Sequence, residues 1–183
     1  MKISVSIPRD CAALAALCGG TLYLRGSTPP PTILHICTDS REVDGDTLFC
    51  AMRGERVDGH DYIPTAARTG CRAFLCEHLP AGWENSAPDG VLAEYPLAAI
   101  VVEDTVAALS RLAAAARAEA LSAVRVTAVT GSVGKTTTKE MIAAVMAAAT
   151  PHSYKKDGNF NSTIGLPLTA FSRMKASLSP SPS

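Results

Sequence analysis

Aromatic residues are scarce in this sequence. Phe, Tyr and Trp make up 5% of the 183 residues, with a single tryptophan, Trp83. So sparse a supply argues against the stacking platforms on which single-stranded nucleic acids lie. A charge excess is also missing. Lys+Arg and Asp+Glu number 17 each, so no basic field suggests a sequence-independent grip on nucleic acid. Long apolar runs are absent, which excludes a transmembrane span. The alanine-rich stretch Cys11–Cys18 is too short for a signal-peptide core, follows Arg9 and Asp10 directly, and leads to no convincing cleavage site. It reads as an amphipathic helix closed by Gly19-Gly20. The chain is expected to be cytoplasmic, without membrane insertion or nucleic-acid partner, and monomeric.

Paired cysteines are lacking as well. The six cysteines lie at 11, 18, 37, 50, 71 and 76, and none forms a C-x-x-C pair. Zinc binding is therefore poorly supported. They read as small apolar core residues kept reduced. What is present is globular: 47% hydrophobic and 19% charged residues.

Alternating short apolar runs and helix-periodic stretches predict an α/β fold with a largely parallel sheet. Strands are expected at Ile3–Ile7, Thr21–Arg25, Ile33–Cys37, Thr47–Met52, Arg72–Cys76 and Ala98–Val102, with helices at Cys11–Cys18 and Tyr62–Thr69. The Pro29-Pro30-Pro31 connector and the segment from Pro80 to Pro88 read as loops. Asp104 is a candidate N-cap. Behind it Val106, Leu109, Leu112, Ala113 and Ala116 recur at helical spacing to about Leu121. This helix is expected to link an N-terminal domain (1–102) to a second region, with the link spanning 103–121.

The stretch 130–137, Thr-Gly-Ser-Val-Gly-Lys-Thr-Thr, carries the strongest chemical signal. It follows the β-branched run Val124–Val129, expected as a strand, and precedes the helix-periodic run Thr137–Ala149. That order of strand, glycine turn, Lys-Thr and helix is what a phosphate-binding loop needs. Gly131 and Gly134 let backbone N–H groups converge on an anion, and the positive end of the next helix points there too. The candidate ATP contacts are Gly131, Ser132, Val133, Gly134, Lys135, Thr136 and Thr137. Lys135 would act as the catalytic charge on the terminal phosphates, and the Thr136 hydroxyl would ligate Mg²⁺. The spacing is shorter than G-x-x-x-x-G-K-[ST], because Val129 stands where that pattern has glycine.

Two further clusters are weak taken singly. Thr38-Asp39-Ser40-Arg41, Gly45-Asp46-Thr47-Leu48-Phe49 and Gly54-Glu55-Arg56-Val57-Asp58-Gly59-His60-Asp61 are rich in turn residues, and a lone His60 is usually a surface residue. Their hydroxyls and backbone groups suit a polar heterocycle, and Arg56 suits a diphosphate. Downstream, Gly158-Asn159-Phe160-Asn161 leads into Ile164-Gly165-Leu166-Pro167-Leu168-Thr169. It reads either as a turn before a Pro-initiated helix or as a pair, Asn159 and Asn161, close to phosphate or metal-bound water.

In this order the three clusters resemble the Mur ligases of peptidoglycan synthesis, over nearly all of residues 1–172. T-D-S-R…G-D-x-L-F…G-E-R-x-D-G-H-D is similar to the family's UDP-substrate domain. G-N-F-N-x-x-I-G-L-P-L-T is similar to the branch that adds D-alanyl-D-alanine to UDP-N-acetylmuramoyl-tripeptide. The branch adding the third peptide residue would carry an asparagine where this loop has Val133, and Ser162 departs from the usual second asparagine of an N-N pair. The resemblance implies a small N-terminal α/β substrate domain followed by the start of a P-loop, Rossmann-like ATPase domain with a mostly parallel sheet, at 122–174. It implies ATP and Mg²⁺, an acyl-phosphate intermediate, and UDP contacts from Thr38, Ser40, Glu55, Arg56 and Val57.

Residues 175–183, Lys-Ala-Ser-Leu-Ser-Pro-Ser-Pro-Ser, cannot bury apolar surface and are expected to be disordered. A phosphate-loop domain needs further strands, so this reading expects a fragment with little or no ligation activity, and leans towards a frameshift or premature stop. Two alternatives stand beside the favoured one. The first is a related amide ligase, either the third-residue enzyme or a folate polyglutamylating one. The folate branch is weighed against by the first hundred residues. The second alternative is a non-catalytic UDP-sugar-binding module.

Overall fold

The computed structural model describes residues 2–26, 29–54, 57–80, 82–83, 97–120 and 127–149. Six strands form one mixed sheet: β1 (Lys2–Arg9), β2 (Thr21–Arg25), β3 (Ile33–Cys37), β4 (Thr47–Cys50), β5 (Ala73–Cys76) and β6 (Leu97–Val101). In space the order is β1-β3-β4-β5-β6-β2. The four inner strands run parallel. Each edge is closed by an antiparallel strand, β1 on β3 and β2 on β6.

The inner strands are apolar on both faces, as a sheet covered on both sides requires. Alternation then divides their side chains. Leu48 and Cys50, Ala73 and Leu75, and Ala98 and Ile100 face one cluster, which is covered by helices α1 (Cys11–Cys18) and α3 (Thr105–Ala120). Phe49, Phe74, Cys76, Leu97 and Ala99 face the other, with α2 (Ile63–Thr69), Val43 and Trp83 against them. All six cysteines are free and buried. Burial pushes the Cys11 and Cys71 thiols up to about 11, so neither is a ready nucleophile.

The helix boundaries follow local chemistry. Asp10 caps α1 by accepting from the Ala13 N–H at 2.6 Å, and Asp104 caps α3 by accepting from Val106 and Ala107 N–H at 2.7 and 2.9 Å. Helices α1 and α2 stop at Gly19 and Gly70, whose φ values of 72° and 113° favour glycine. Helix α3, read from sequence as a link, packs on α1 and buries Ala108, Leu109, Leu112 and Ala113 in the first cluster. It is part of the wall of this core.

The second region differs from expectation in two respects. Thr127–Val129 have no regular secondary structure, although a strand was expected over Val124–Val129. Residues 124–126 lie outside the described residues. A parallel strand is defined by hydrogen bonds to a neighbour, and none of the described strands pairs with these residues. Helix α4 (Lys135–Ala149) begins two residues earlier than the apolar period suggested and buries none of its residues. No helix among the described residues is long and apolar enough to cross a membrane.

Candidate functional site

Because β3, β4, β5 and β6 are parallel, their carboxyl ends open on one edge of the sheet. Ligands in open α/β sheets gather on that edge. Of the five residues expected to touch a uridine diphosphate, Thr38 and Ser40 follow β3 and Val57 follows β4, so the fold brings these three to one edge. Ser40 is buried and Val57 exposed. Glu55 and Arg56 lie outside the described residues, as do Asn159 and Asn161, Lys155 and Lys156, and the tail from Lys175.

The loop after β3 is internally braced. Asp39 accepts from the Arg41 backbone N–H at 3.0 Å and from its guanidinium at 2.9 and 2.7 Å. These bonds hold the Asp39 carboxyl well below the usual carboxylate range. Both side chains are thereby committed to each other, and Ser40 is pinned between them.

The loop after β4 folds into a hairpin. Arg53 and Asp58 pair across its base, the Gly54 N–H donates to Val57 O at 2.9 Å, and the Gly59 N–H donates to Met52 O at 2.8 Å. A β-carbon at Gly59 would stand 2.5 Å from Met52 N, which only glycine avoids. A single 3-10 turn (Gly59–Tyr62) follows.

His60, expected at the surface, is instead buried. Its Nδ1 meets Asp58 Oδ1 at 2.6 Å, its Nε2 accepts from the Glu77 N–H at 2.9 Å, and its ring stacks on His78 at 4.5 Å. The Glu77 carboxylate in turn accepts from both N–H and Oγ1 of Thr105, each at 3.2 Å. Sequence reading missed this Asp58–His60–Glu77–Thr105 chain. Its only linear signal is the D-G-H triplet, because the partners lie 17 and 28 residues apart.

The Asp58 carboxyl falls from an ordinary 3.8 to about 2, first through the His60 backbone N–H and then through the His60 ring. A carboxylate depressed in this way stabilises the fold above its unfolded pKa, and that contribution disappears as pH falls through the folded value. The hairpin is therefore expected to loosen between about pH 4 and pH 2. Carboxyl-carbon NMR titration of Asp58 checks this, and a midpoint at the ordinary value would refute it.

The phosphate-loop residues are solvent-exposed, Val133 at 89%. Gly131 and Gly134 take φ of 146° and 78°, as the turn requires. The Lys135 ammonium donates to Gly131 O and, at 3.5 Å, to Ser132 O. The first turn of α4 brings Lys135, Thr136 and Thr137 to the helix N-terminus. The first-turn backbone N–H groups, an ammonium and two hydroxyls thus lie at its positive end. Among the described residues, no group of three or more His, Cys, Asp or Glu could hold a metal. Thr136 is one neutral oxygen donor, which suits Mg²⁺ that takes its remaining ligands from water and phosphate.

Residues 32–117 match the profile of the Mur ligase family catalytic domain, and residues 129–178 match that of the Mur ligase middle domain. This chain belongs to the Mur ligase family. Its Mur ligase relatives include the Bacillus subtilis UDP-N-acetylmuramoyl-tripeptide–D-alanyl-D-alanine ligase, 39% identical over 164 residues, a match covering 89% of this chain and 33% of that enzyme. Solved Mur ligase structures share the fold. MurF from Acinetobacter baumannii aligns with a TM-score of 0.72 at 30% identity, over 94% of this chain and 34% of that one. The Thermotoga maritima MurF ligase in complex with ADP aligns with a TM-score of 0.59 at 33% identity, over 74% of this chain and 28% of that one. The chain thus spans about a third of the length of the Mur ligases it matches.

Proposed function

We propose that this chain carries the UDP-substrate and phosphate-binding parts of an ATP-dependent ligase that joins D-alanyl-D-alanine to UDP-N-acetylmuramoyl-tripeptide in cell-wall synthesis. The observation that carries the reading is the pairing of a T-D-S-R edge site on a parallel sheet with a G-K-T loop at a helix N-terminus, in a chain 39% identical to a relative of that name. The domain division follows the same reading, with 1–102 for the UDP-substrate and 122–174 for ATP, and the cytoplasm is where these substrates would be met.

In the reaction so assigned, a terminal carboxylate oxygen of the tripeptide attacks the γ-phosphorus of ATP. The bond to the β–γ bridging oxygen breaks, ADP leaves, and an acyl phosphate forms. The amine of D-Ala-D-Ala then attacks the acyl carbon, inorganic phosphate departs with its electron pair, and the amine loses a proton. Lys135 leaves the carbonyls of Gly131 and Ser132 for the terminal phosphates and offsets charge on the transferred group. The loop N–H groups from Gly131 to Thr137 hold the phosphate chain in line. Thr136 would contribute one ligand to Mg²⁺, which supplies electrostatic neutralisation of the phosphates when bound. Thr38, Ser40, Glu55, Arg56 and Val57 would hold the uridine diphosphate, and Asn159 and Asn161 would sit near the phosphate or metal.

Calorimetric titration of the folded chain with UDP-N-acetylmuramoyl-tripeptide tests this directly. Binding that weakens when the third residue is omitted supports the D-Ala-D-Ala branch. Equal or tighter binding of the UDP-muramoyl-dipeptide would move the assignment to the third-residue ligase. No binding by a folded chain would sink the residue assignments at 38–57.

A further inference from the structure

We propose that His60 is a positioning residue for the substrate edge: held between Asp58 and the backbone of Glu77, it sets the hairpin after β4 in the shape that receives the uridine diphosphate arm. The proposal rests on the substrate reading given above. It adds to that reading a residue with no place among the contacts already named.

The hydrogen bonds fix the role of each ring nitrogen. A backbone N–H can only donate, so the bond from Glu77 N makes Nε2 the acceptor. The ring proton therefore sits on Nδ1 and is donated to Asp58 Oδ1. The other Asp58 oxygen takes Arg53 Nε at 3.2 Å, which closes the base of the hairpin. Glu77 passes the link to the first turn of α3 through Thr105.

One buried imidazole thus ties the loops after β4 and β5 to each other, and through Glu77 to the residue that opens α3. Val57, at the far side of the hairpin, is 51% exposed. Its backbone carbonyl bonds within the hairpin, to Gly54. The place of Val57 on the substrate edge is accordingly set at the hairpin base, where Asp58 and His60 meet.

Two substitutions separate the two bonds. His60→Asn places an amide near Nδ1, keeping a donor for Asp58 and removing the acceptor for Glu77 N–H. His60→Gln places an amide oxygen near Nε2 and keeps that acceptor. The full chain and both variants are titrated calorimetrically with UDP-N-acetylmuramoyl-tripeptide, with folding checked by circular dichroism.

His60→Asn is expected to weaken binding about tenfold, and His60→Gln to recover most of the loss. Nitrogen NMR of the wild-type imidazole is expected to show the Nδ1–H tautomer. Asp58→Ala removes the acceptor at the other end of the same link and should weaken binding to a similar degree, so the test stands even where His60→Asn does not fold. Wild-type affinity in folded His60→Asn, or an Nε2–H tautomer, overturns the proposal. A folded wild-type chain that binds no UDP-substrate while showing the Nδ1–H tautomer defeats the substrate reading, and the positioning role falls with it.

Discussion

Lys135→Ala is expected to lower the affinity of the chain for Mg·ATP by about 10- to 100-fold, the range set by losing charge-assisted hydrogen bonds to phosphate. The loop leaves this side chain one task. Its ammonium rests on the carbonyls of Gly131 and Ser132, at the mouth of the helix N-terminus, with no carboxylate among its bonded partners. Replacing it with alanine keeps the helix, because alanine is the better helix former, and removes only the charge. Lys135→Arg should not restore affinity, since a planar guanidinium cannot serve as a compact point charge inside a tight glycine loop. Fluorescent-nucleotide titration reads the effect. Affinity for the UDP-substrate should be unchanged, because the residues proposed to bind it follow β3 and β4. An alanine variant that binds ATP like the wild type would remove the loop from the mechanism.

Phe74→Ala is expected to cost about 3–5 kcal/mol of folding stability, against a total of about 5–15 kcal/mol for a domain of this kind. Phe74 is fully buried on β5, in register with Phe49 of β4. It lies in the cluster that α2 and Trp83 cover. A phenyl ring lost there leaves a cavity between sheet and helix that the inner strands cannot close, since each is hydrogen-bonded on both sides. Trp83 is the only tryptophan, so its fluorescence during urea unfolding reports this cluster. Met141→Ala on α4 is the contrast. Met141 is 66% exposed, and its truncation should change stability by less than about 0.5 kcal/mol. Equal effects at the two positions would contradict the core described above.

Much of the local structure could be read from neighbouring residues. Asp10 and Asp104 before helical runs, and Gly19 and Gly70 after them, marked helix ends because caps act within one turn. The inner strands stood out as short apolar runs. The glycine turn into α4 was legible because Gly131 and Gly134 supply positive φ and the Lys-Thr-Thr that follows opens the helix.

The errors share one cause. His60 resembled a surface residue until Glu77 supplied a backbone donor from another loop. Helix α3 was read as a link, and its packing on α1 could not be read beside that, because an apolar stripe does not name what it covers. Val124–Val129 has a strand's composition, yet Thr127–Val129 are not in a strand, since pairing depends on a partner.

By itself, then, the sequence determined the α/β class, the helix caps, the reduced cysteine core and the glycine loop with its lysine, because each arises from interactions within a few residues. Only the tertiary structure decided that β2 crosses to the far edge beside β6, and that β1 takes the opposite edge beside β3. It also decided that Thr38, Ser40 and Val57 follow strands whose carboxyl ends share one edge, and that His60 bonds to Asp58 and to the Glu77 backbone. These depend on contacts between residues far apart in the chain, where closing the loop costs little for length and the choice of partner rests on which apolar faces fit.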